Sequence, residues 1–314
     1  MNSVFKVSFI PFVAAFLAAA GCAHGDGSQG AASSSAARAG QLSNIAVSPN
    51  DNMNAVLWMQ TAAEYRGNSL VIYQSAAGKL SHVIAAKDHT ASIEQGEMAG
   101  CVPGHPCANA KFKKMPSAIV LDIDETVLDN SAYQARLIRD NAQWDANTWD
   151  EWIASREAGA IPGAVDFIRA VKESGAAVVY ITNRNCSVRS KNAGADPCPQ
   201  REDTLENMKA LGFPSLSGKD LLLLQNQRPE WGASEKRARR EYVAKSYRIA
   251  MLIGDDLGDL APDVKSLSID SRFDAVNKYR DLYGVYWFQL ANPTYGSWMN
   301  PFKGKDKRDF LRYD

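Results

Sequence analysis

The stretch AIVLDIDETVLDN, residues 118–130, runs a hydrophobic segment directly into three acids, Asp122, Asp124 and Glu125. The segment AIVLDI has the composition of a parallel strand that is buried on both faces. In open α/β sheets, ligands bind at the carboxyl ends of such strands. Clustered carboxylates repel one another, so holding them together costs free energy unless a cation or a proton offsets the charge. The stretch therefore predicts a ligand site or, in the plainer interpretation, a polar turn with helix-capping acids.

Two more hydrophobic segments end in polar residues. AAVVYITNR leads into Thr182, and YRIAMLIGDDLGDL leads into Asp255 and Asp259. Helices alternate with these strands, as Pro162 and Gly175 show by bracketing the helical segment between them. The remaining predicted elements are the helix REDTLENMKALG, the strand DLLLL and the basic helix ASEKRARREYVAKS, which carries Lys236. This alternation predicts an α/β fold, a doubly wound parallel sheet in three layers with its strand ends at one edge.

The residue types at that edge suit phosphoryl chemistry. Acids after two strands fit a hard cation such as Mg²⁺, which takes one or two carboxylates together with a substrate phosphate. The hydroxyl of Thr182 and the ammonium of Lys236 are the donors that phosphoryl oxygens need. An aspartate can itself act as the nucleophile and form an aspartyl-phosphate.

The motifs DIDET, ITNR, the Lys236 helix and GDDLGD resemble the four motifs of the haloacid dehalogenase-like (HAD) superfamily, in order. More narrowly, LDNSAYQ, WDEWIASREAGAIPGAVDF and NPTYGSW resemble the class C acid phosphatases, bacterial lipoproteins that act as 5′-nucleotidases. This resemblance covers about residues 58–298. It implies a HAD-like Rossmannoid sheet with a small helical cap, inserted at about residues 131–160. Separately, the residues from Trp58 to Ala76 that recur at steps of three and four form one helix face and predict an N-terminal helical extension at residues 54–80.

The resemblance also implies catalytic roles. Asp122 would be the nucleophile, and Asp124 would be the general acid and base. An acid two residues after the nucleophile favours cleavage of phosphate esters over dehalogenation, because the leaving alkoxide needs a proton. Thr182 and Lys236 would bind the phosphoryl oxygens.

A magnesium site follows from the same resemblance. Mg²⁺ would be held by a side-chain oxygen of Asp122, the backbone carbonyl of Asp124 and the carboxylate of Asp255. Asp259 would orient the waters on the metal. Asp256 stands where the family often has Asn and is left out of the predicted site.

Aromatic residues of the cap and the C-terminal segment divide into two groups. Trp144 in the loop NAQWDAN and Tyr295 in NPTYGSW match family positions that stack on a nucleobase from opposite sides. The alternative is that both are surface-loop rings that pack locally. Trp149 and Trp152, three apart on a predicted helix, are interpreted as core residues.

One segment departs from the family pattern. Residues 183–203, NRNCSVRSKNAGADPCPQRED, form a longer loop than is typical of the family and directly follow Thr182. For Asn183 and Arg184, a role in the site and plain turn structure are both left open. The substrate range is therefore less closely determined than the type of reaction.

The N-terminus carries an export signal. Lys6 precedes the apolar stretch VSFIPFVAAFLAAAG, which is short for a bilayer span and ends in AAAGC. This ending resembles a lipoprotein box with Cys22 as the lipidated residue; cleavage of an ordinary signal peptide near AAA is the alternative. Residues 1–22 are thus predicted as signal peptide, 23–48 as a small, polar tether, and 49–314 as the phosphatase domain. The predicted location is the bacterial outer membrane, facing the periplasm or the cell surface, or else the soluble periplasm.

The remaining four cysteines fit an oxidising compartment. Three pairings are possible, and proximity in sequence favours Cys101 with Cys107 and Cys186 with Cys198. A zinc site is the alternative, but neither pair has the close ligand spacing of such a site.

Composition limits the classes of function. With 314 residues, of which 46% are hydrophobic, the chain can bury a sizeable core. Lys and Arg number 35 and so do Asp and Glu, so no strong field directs the chain to nucleic acid. The expected partners are phosphomonoesters, nucleoside monophosphates above all, with a membrane reached through a lipid anchor and a homodimer left open.

Three alternative functions remain. A His-dependent phosphatase is disfavoured because all four His precede the first motif and none lies in an RHG or SGH context. A broad-specificity acid phosphatase without nucleotide preference, and a catalytically silent binding or storage protein on the same scaffold, stay open. The silent scaffold is disfavoured because Asp122, Asp124, Lys236 and Asp255 are all present.

Overall fold

The computed structural model of the protein describes residues 51–102, 107–189 and 195–313. The strands in these ranges are β1 (His89–Thr90), β2 (Cys107–Ala108), β3 (Ser117–Leu121), β4 (Leu128–Asp129), β5 (Gly159–Ala160), β6 (Ala177–Asn185), β7 (Leu221–Gln225), β8 (Arg248–Gly254) and β9 (Trp287–Gln289). The α-helices are α1 (Met53–Thr61), α2 (Ala63–Ala85), α3 (Ile93–Met98), α4 (Ser131–Arg139), α5 (Ala146–Ser155), α6 (Ala164–Glu173), α7 (Pro199–Ala210), α8 (Arg237–Ala244), α9 (Leu257–Leu260) and α10 (Ile269–Lys278).

Five strands form a parallel sheet in the order β7-β6-β3-β8-β9. From β3 the chain moves outward through β6 and β7 on one side, and it returns to β8 and β9 on the other. The strand order therefore reverses between β3 and β8, which is where ligands bind in open α/β sheets. Residues Ala118–Leu121 and the whole of β8 are buried, as expected for strands covered on both faces.

The N-terminal extension differs from the single helix predicted over residues 54–80. The structure has two helices, because Ala62 adopts an extended conformation between α1 and α2, and α2 continues to Ala85. No proline or glycine marks the break in the sequence. On α2, the Tyr73 hydroxyl donates to the backbone oxygen of Thr126 at 2.5 Å, which fixes α2 to the loop after β3.

α2 also packs closely on the start of α6. Gly163, at the N-cap of α6, has a φ of 90°, and a Cβ there would lie 3.0 Å from the Cβ of Tyr73. Glycine suits this position because other residues rarely adopt this φ and because a side chain would push the two helices apart.

Two helices lie between β4 and β5, within the segment where the cap insertion is predicted. These two short strands pair antiparallel, and α4 and α5 lie between them as a small helical cap. Trp152 of α5 is buried and donates from Nε1 to the side-chain oxygen of Asn130 at 2.8 Å. Trp149 lies with its ring edge against Tyr133 at 5.0 Å, so both tryptophans serve packing, as the sequence predicts.

Two disulfide bonds join Cys101 to Cys107 and Cys186 to Cys198, the pairing that proximity favours. The loop held by the second bond is attached to the cap, because Arg189 donates to both carboxylate oxygens of Asp150 on α5, at 2.6 and 2.9 Å.

The signal peptide, the tether and Cys22 lie outside the described residues. Within the described ranges, no helix combines the length and the apolar character that crossing a bilayer requires.

Candidate active site

Asp122 and Asp255 occupy equivalent positions directly after the neighbouring strands β3 and β8. The backbone N–H of Asp122 donates to the oxygen of Ile253 at 3.0 Å and continues the hydrogen-bond ladder between these strands. Asp259 follows in α9. Asp122, Asp255 and Asp259 each place a carboxylate oxygen within 4.8 Å of the others. We call these three residues the carboxylate cluster.

Gly254 makes the approach of Asp259 possible. A Cβ at residue 254 would lie 2.3 Å from the Cβ of Asp259, closer than atoms can pack. Any side chain at this last residue of β8 would therefore displace Asp259 from the cluster.

Lys236 faces the carboxylate cluster. Its ammonium contacts Asp122 Oδ1 and lies 2.7 Å from Asp259 Oδ1. Burial opposes its charge, but the facing carboxylates Asp122 and Asp259 raise the pKa of Lys236 above its ordinary value. Lys236 is the N-cap residue that precedes α8 rather than a residue within the helix, which corrects the sequence interpretation.

Asp255 is held by two neutral donors. Thr126 Oγ1 donates to Asp255 Oδ1 at 2.9 Å, and Asn292 Nδ2 donates to Asp255 Oδ2 at 2.9 Å. Burial, with the nearby charges of Asp122 and Asp259, raises the pKa of Asp255 well above its usual range.

The carboxylate cluster has an excess of negative charge. Among the described residues, Lys236 is the cation that forms ion pairs with it. Burial raises the pKa of Asp122 to about 7, the charges of Asp259 and Asp124 add to the shift, and Lys236 opposes it. Crowded oxygen donors with raised pKa values fit a divalent cation, whose charge would keep them ionised.

Asp124 is not part of the carboxylate cluster and is held by a different set of donors. Arg184 donates to Asp124 Oδ1 from Nε at 3.0 Å and from Nη2 at 2.8 Å. Asn130 Nδ2 donates to the same oxygen at 3.0 Å, and Thr182 Oγ1 donates to Oδ2 at 3.2 Å. The predicted phosphate ligand Thr182 therefore lies beside the predicted general acid.

Two other acids of the motifs are structural. Glu125 is fully buried and accepts from the backbone N–H of Asn130 at 2.7 Å, so the plainer interpretation as a turn acid fits this residue. Asp256 caps α9 by accepting from the Gly258 N–H at 2.8 Å, and it also accepts from the Ser297 hydroxyl at 2.7 Å. Leaving Asp256 out of the predicted site agrees with this capping role.

The predicted base-stacking residues lie in different surroundings. Trp144 is 59% exposed in the loop before α5. Tyr295 belongs to the loop that reaches the carboxylate cluster, because its backbone N–H and the Asp255 carboxylate both contact Asn292. No ring contact joins Trp144 to Tyr295 among the described residues. The structure thus brings Tyr295 near the site and leaves Trp144 exposed, with no aromatic contact among the described residues.

The sequence does not assign three partners of the site. Arg184 was left open, and Thr126 and Asn292 were not identified, although all three contact predicted site residues. Thr126 could have been found, since it follows DIDE directly. For Asn292 the signal is its place as the first residue of the motif NPTYGSW, although its partner Asp255 lies 37 residues earlier in the chain.

A parallel sheet with carboxylates after two adjacent strands and a lysine facing them is the arrangement expected of HAD-type phosphoryl-transfer enzymes. Residues 28–298 match the model of the HAD superfamily, subfamily IIIB (acid phosphatase), and the chain belongs to this family. The class C acid phosphatase from Bacillus anthracis has a similar structure, with 27% sequence identity and a TM-score of 0.64 over 85% of this chain and 98% of that chain. The structure of the class C acid phosphatase from Bacillus anthracis with tungstate bound gives 26% identity and a TM-score of 0.65 at the same coverage. The fold prediction and the family resemblance are confirmed.

Proposed function

We propose that the protein is a Mg²⁺-dependent 5′-nucleotidase that acts through an aspartyl-phosphate on Asp122. Membership of its family makes it a phosphomonoesterase of the acid phosphatase type. The observation that carries the proposal is the carboxylate cluster facing Lys236 between the ends of β3 and β8. A binding protein on a silent scaffold would have no need for a buried excess of carboxylates, which costs stability.

The site residues have different roles in the two steps of the proposed reaction. In the first step, a carboxylate oxygen of Asp122 bonds to phosphorus, and the bond from phosphorus to the leaving oxygen breaks. Asp124 gives a proton to that oxygen. In the second step, Asp124 takes a proton from a water molecule, which attacks the phosphoryl group and restores Asp122 with release of inorganic phosphate. Thr182 and Lys236 donate to the phosphoryl oxygens throughout.

Mg²⁺ would be held by the carboxylates of Asp122 and Asp255 and by the backbone carbonyl of Asp124, while Asp259 holds Lys236 in place. When bound, the ion neutralises the crowded carboxylates and offsets negative charge on the phosphoryl group. The related Bacillus anthracis enzyme has been solved with tungstate, a tetrahedral oxyanion like phosphate, which supports an oxyanion-binding site in this fold.

A panel of phosphomonoesters tests the proposal at mildly acid pH. EDTA should abolish hydrolysis, and Mg²⁺ should restore it more fully than other divalent cations. Nucleoside 5′-monophosphates should have the highest kcat/KM. Full activity after exhaustive chelation would refute the metal assignment.

The nucleotide preference rests on Trp144 and Tyr295. Stacking a base on an aromatic ring contributes roughly 1–3 kcal/mol, so Trp144→Ala or Tyr295→Ala should lower kcat/KM for a nucleotide by about tenfold to a hundredfold. Glycerol phosphate has no base and should be hydrolysed as by the wild type. Phe273→Ala, which removes another exposed ring on α10, is the matched control. Equal loss on both substrates would favour the broad-specificity phosphatase.

We also propose that the protein is exported and lipidated at Cys22, so that it resides at the bacterial outer membrane. The observation behind this proposal is the apolar stretch that ends in AAAGC. Cys22→Ser should move the protein from the membrane to the soluble periplasmic fraction. If the wild-type protein is already in the soluble periplasmic fraction, the lipid anchor is refuted, while the proposal of export still holds.

A further inference from the structure

Arg184 is a buried arginine that contacts the predicted general acid, Asp124. Its side chain is 1% exposed, and among the described residues its ion pair is with Asp124. The third nitrogen, Nη1, donates to the hydroxyl of Thr204 on α7 at 3.0 Å. The guanidinium is planar and its donors form a rigid fork, so contacts to Thr204 on one side and Asp124 on the other fix its orientation.

The two carboxylate oxygens of Asp124 differ in the number of hydrogen bonds that they accept. Oδ1 accepts from Arg184 Nε, Arg184 Nη2 and Asn130 Nδ2, at 3.0, 2.8 and 3.0 Å. A proton on Oδ1 would face three N–H groups that cannot accept it. Among the described residues, the contacts of Oδ2 are the Thr182 hydroxyl at 3.2 Å and Arg184 Nε at 3.3 Å. A proton on Asp124 therefore belongs on Oδ2.

Thr182 connects this arrangement to the substrate. Its hydroxyl donates to Asp124 Oδ2 here, and it is also the predicted donor to a phosphoryl oxygen. One hydroxyl proton cannot serve both acceptors fully, so binding a phosphoryl group would turn Thr182 away from Oδ2. Arg184 and Asn130 hold Oδ1 and would keep the carboxyl in place when this happens.

We propose that Arg184 is a positioning residue that orients Asp124 so that Oδ2 delivers the proton to the leaving oxygen. In this step the Oδ2–H bond breaks as the new O–H bond forms, and the electron pair of the broken P–O bond remains on the leaving oxygen. The carboxylate left on Asp124 then lies against the guanidinium of Arg184. The inference rests on the proposed function, since it assigns Asp124 the role of general acid.

Leaving groups that differ in their need for a proton separate this role from a structural one. An alkyl phosphate releases a strongly basic alkoxide and needs the proton, whereas nitrophenyl phosphate releases a stable phenolate and does not. Arg184→Lys keeps the charge and loses the fork. It should lower kcat/KM for an alkyl phosphate by roughly a hundredfold and that for nitrophenyl phosphate by less than about fivefold. kcat/KM reports the phosphoryl transfer to the enzyme, so the later role of Asp124 as a base does not affect it.

Arg239→Lys is the matched control. Arg239 is also fully buried and contacts the backbone oxygen of Thr182 and the side chain of Asn183, but it does not touch Asp124. Its substitution should lower kcat/KM for the two substrates by similar factors. Circular dichroism and thermal unfolding establish that each variant is folded before the factors are compared.

A double-mutant cycle completes the test. In an Asp124→Asn background, Arg184→Lys should no longer change the ratio between the two substrates, because the group through which it acts is gone. Equal losses on both substrates in Arg184→Lys, or an unchanged selective loss in the Asp124→Asn background, would overturn the inference. Failure of the proposed function looks different, since Asp122→Asn would then retain activity whatever the Arg184 variants show.

Discussion

Two buried groups of charged residues in this molecule are built in opposite ways. In the first, Glu94 of α3 pairs with Arg240 of α8, and both side chains are almost fully buried. Each carboxylate oxygen has a donor, Arg240 at 2.7 Å and the Ser92 hydroxyl at 2.8 Å. In the second, the carboxylate cluster sets three acids against one lysine. The first group is balanced in charge and the second is not.

This difference indicates that the balanced pair stabilises the fold, whereas the unbalanced cluster serves the reaction. Arg240 also donates to the backbone oxygens of Gly258 and Asp259, at 2.8 and 3.0 Å, so the balanced pair supports the segment that carries Asp259. The carboxylate cluster has no such balance, and burial, together with the charges of the neighbouring acids, raises the pKa values of Asp122 and Asp255. We expect substitutions in the balanced pair to change stability and substitutions in the cluster to change activity.

The largest expected effect is the loss of activity in Asp122→Asn. Removing the nucleophile should lower kcat by roughly 10⁴-fold or more. Lys236 keeps Asp259 as a partner at 2.7 Å, and losing one carboxylate relieves repulsion among the crowded acids, so the free energy of unfolding should fall by much less than when a buried cation loses its anion. Steady-state kinetics and urea unfolding measure both quantities. Asp166→Asn, on an exposed residue of α6, should change neither.

Glu94→Gln should lower the free energy of unfolding strongly and kcat only slightly, the reverse of Asp122→Asn. It leaves the guanidinium of Arg240 buried without an anion, which should cost roughly 3–5 kcal/mol of unfolding free energy. At temperatures where the variant is folded, kcat should stay within about tenfold of the wild type, far less than the loss in Asp122→Asn. An unchanged urea midpoint would mean that the pair does not stabilise the fold. The contrast between a structural and a functional group of charges would then fail.

The effect of pH on the metal-free protein is expected to be smaller. The pKa of Asp122 rises on folding from 3.8 to about 7, and that of Asp255 shifts in the same direction. Between these values the folded chain binds more protons than the unfolded chain, so this contribution to stability is lost as the pH rises from 3.8 to about 7.

Mg²⁺ should therefore stabilise the protein more at about pH 8, where the carboxylates ionise readily for it, than at about pH 5. Thermal unfolding with EDTA and with Mg²⁺ at both pH values measures the difference. In Asp255→Asn, which removes one carboxylate, the added stabilisation at pH 8 should largely disappear. Equal stabilisation at both pH values would place the ion elsewhere.

Much of the fold could be predicted from the sequence because its signals are local. β3, β6 and β8 are continuous hydrophobic runs, and the polar residues that follow them mark one edge of the sheet. β9 was not predicted, since three residues are too short to show a pattern. The break at Ala62 was also missed, because helix-forming residues surround it.

The site could be predicted only in part, for a related reason. A strand end fixes where the backbone of Asp122 or Asp255 lies, so their meeting follows from topology. The contact between Arg184 and Asp124 depends on the rotamer of a long side chain and on Thr204 from another helix. Such contacts are decided by tertiary packing, and the sequence around Arg184 carries no pattern for them.

The most direct test of the central claim is to identify the residue that carries the phosphoryl group during turnover. Borohydride reduces an aspartyl-phosphate to homoserine, so the enzyme can be quenched with it while it hydrolyses a nucleoside monophosphate and then mapped by peptide mass spectrometry. We expect homoserine at position 122 in the wild type and none in Asp122→Asn. An adduct at Asp124 or on a serine, or turnover without any adduct at residue 122, would contradict the account.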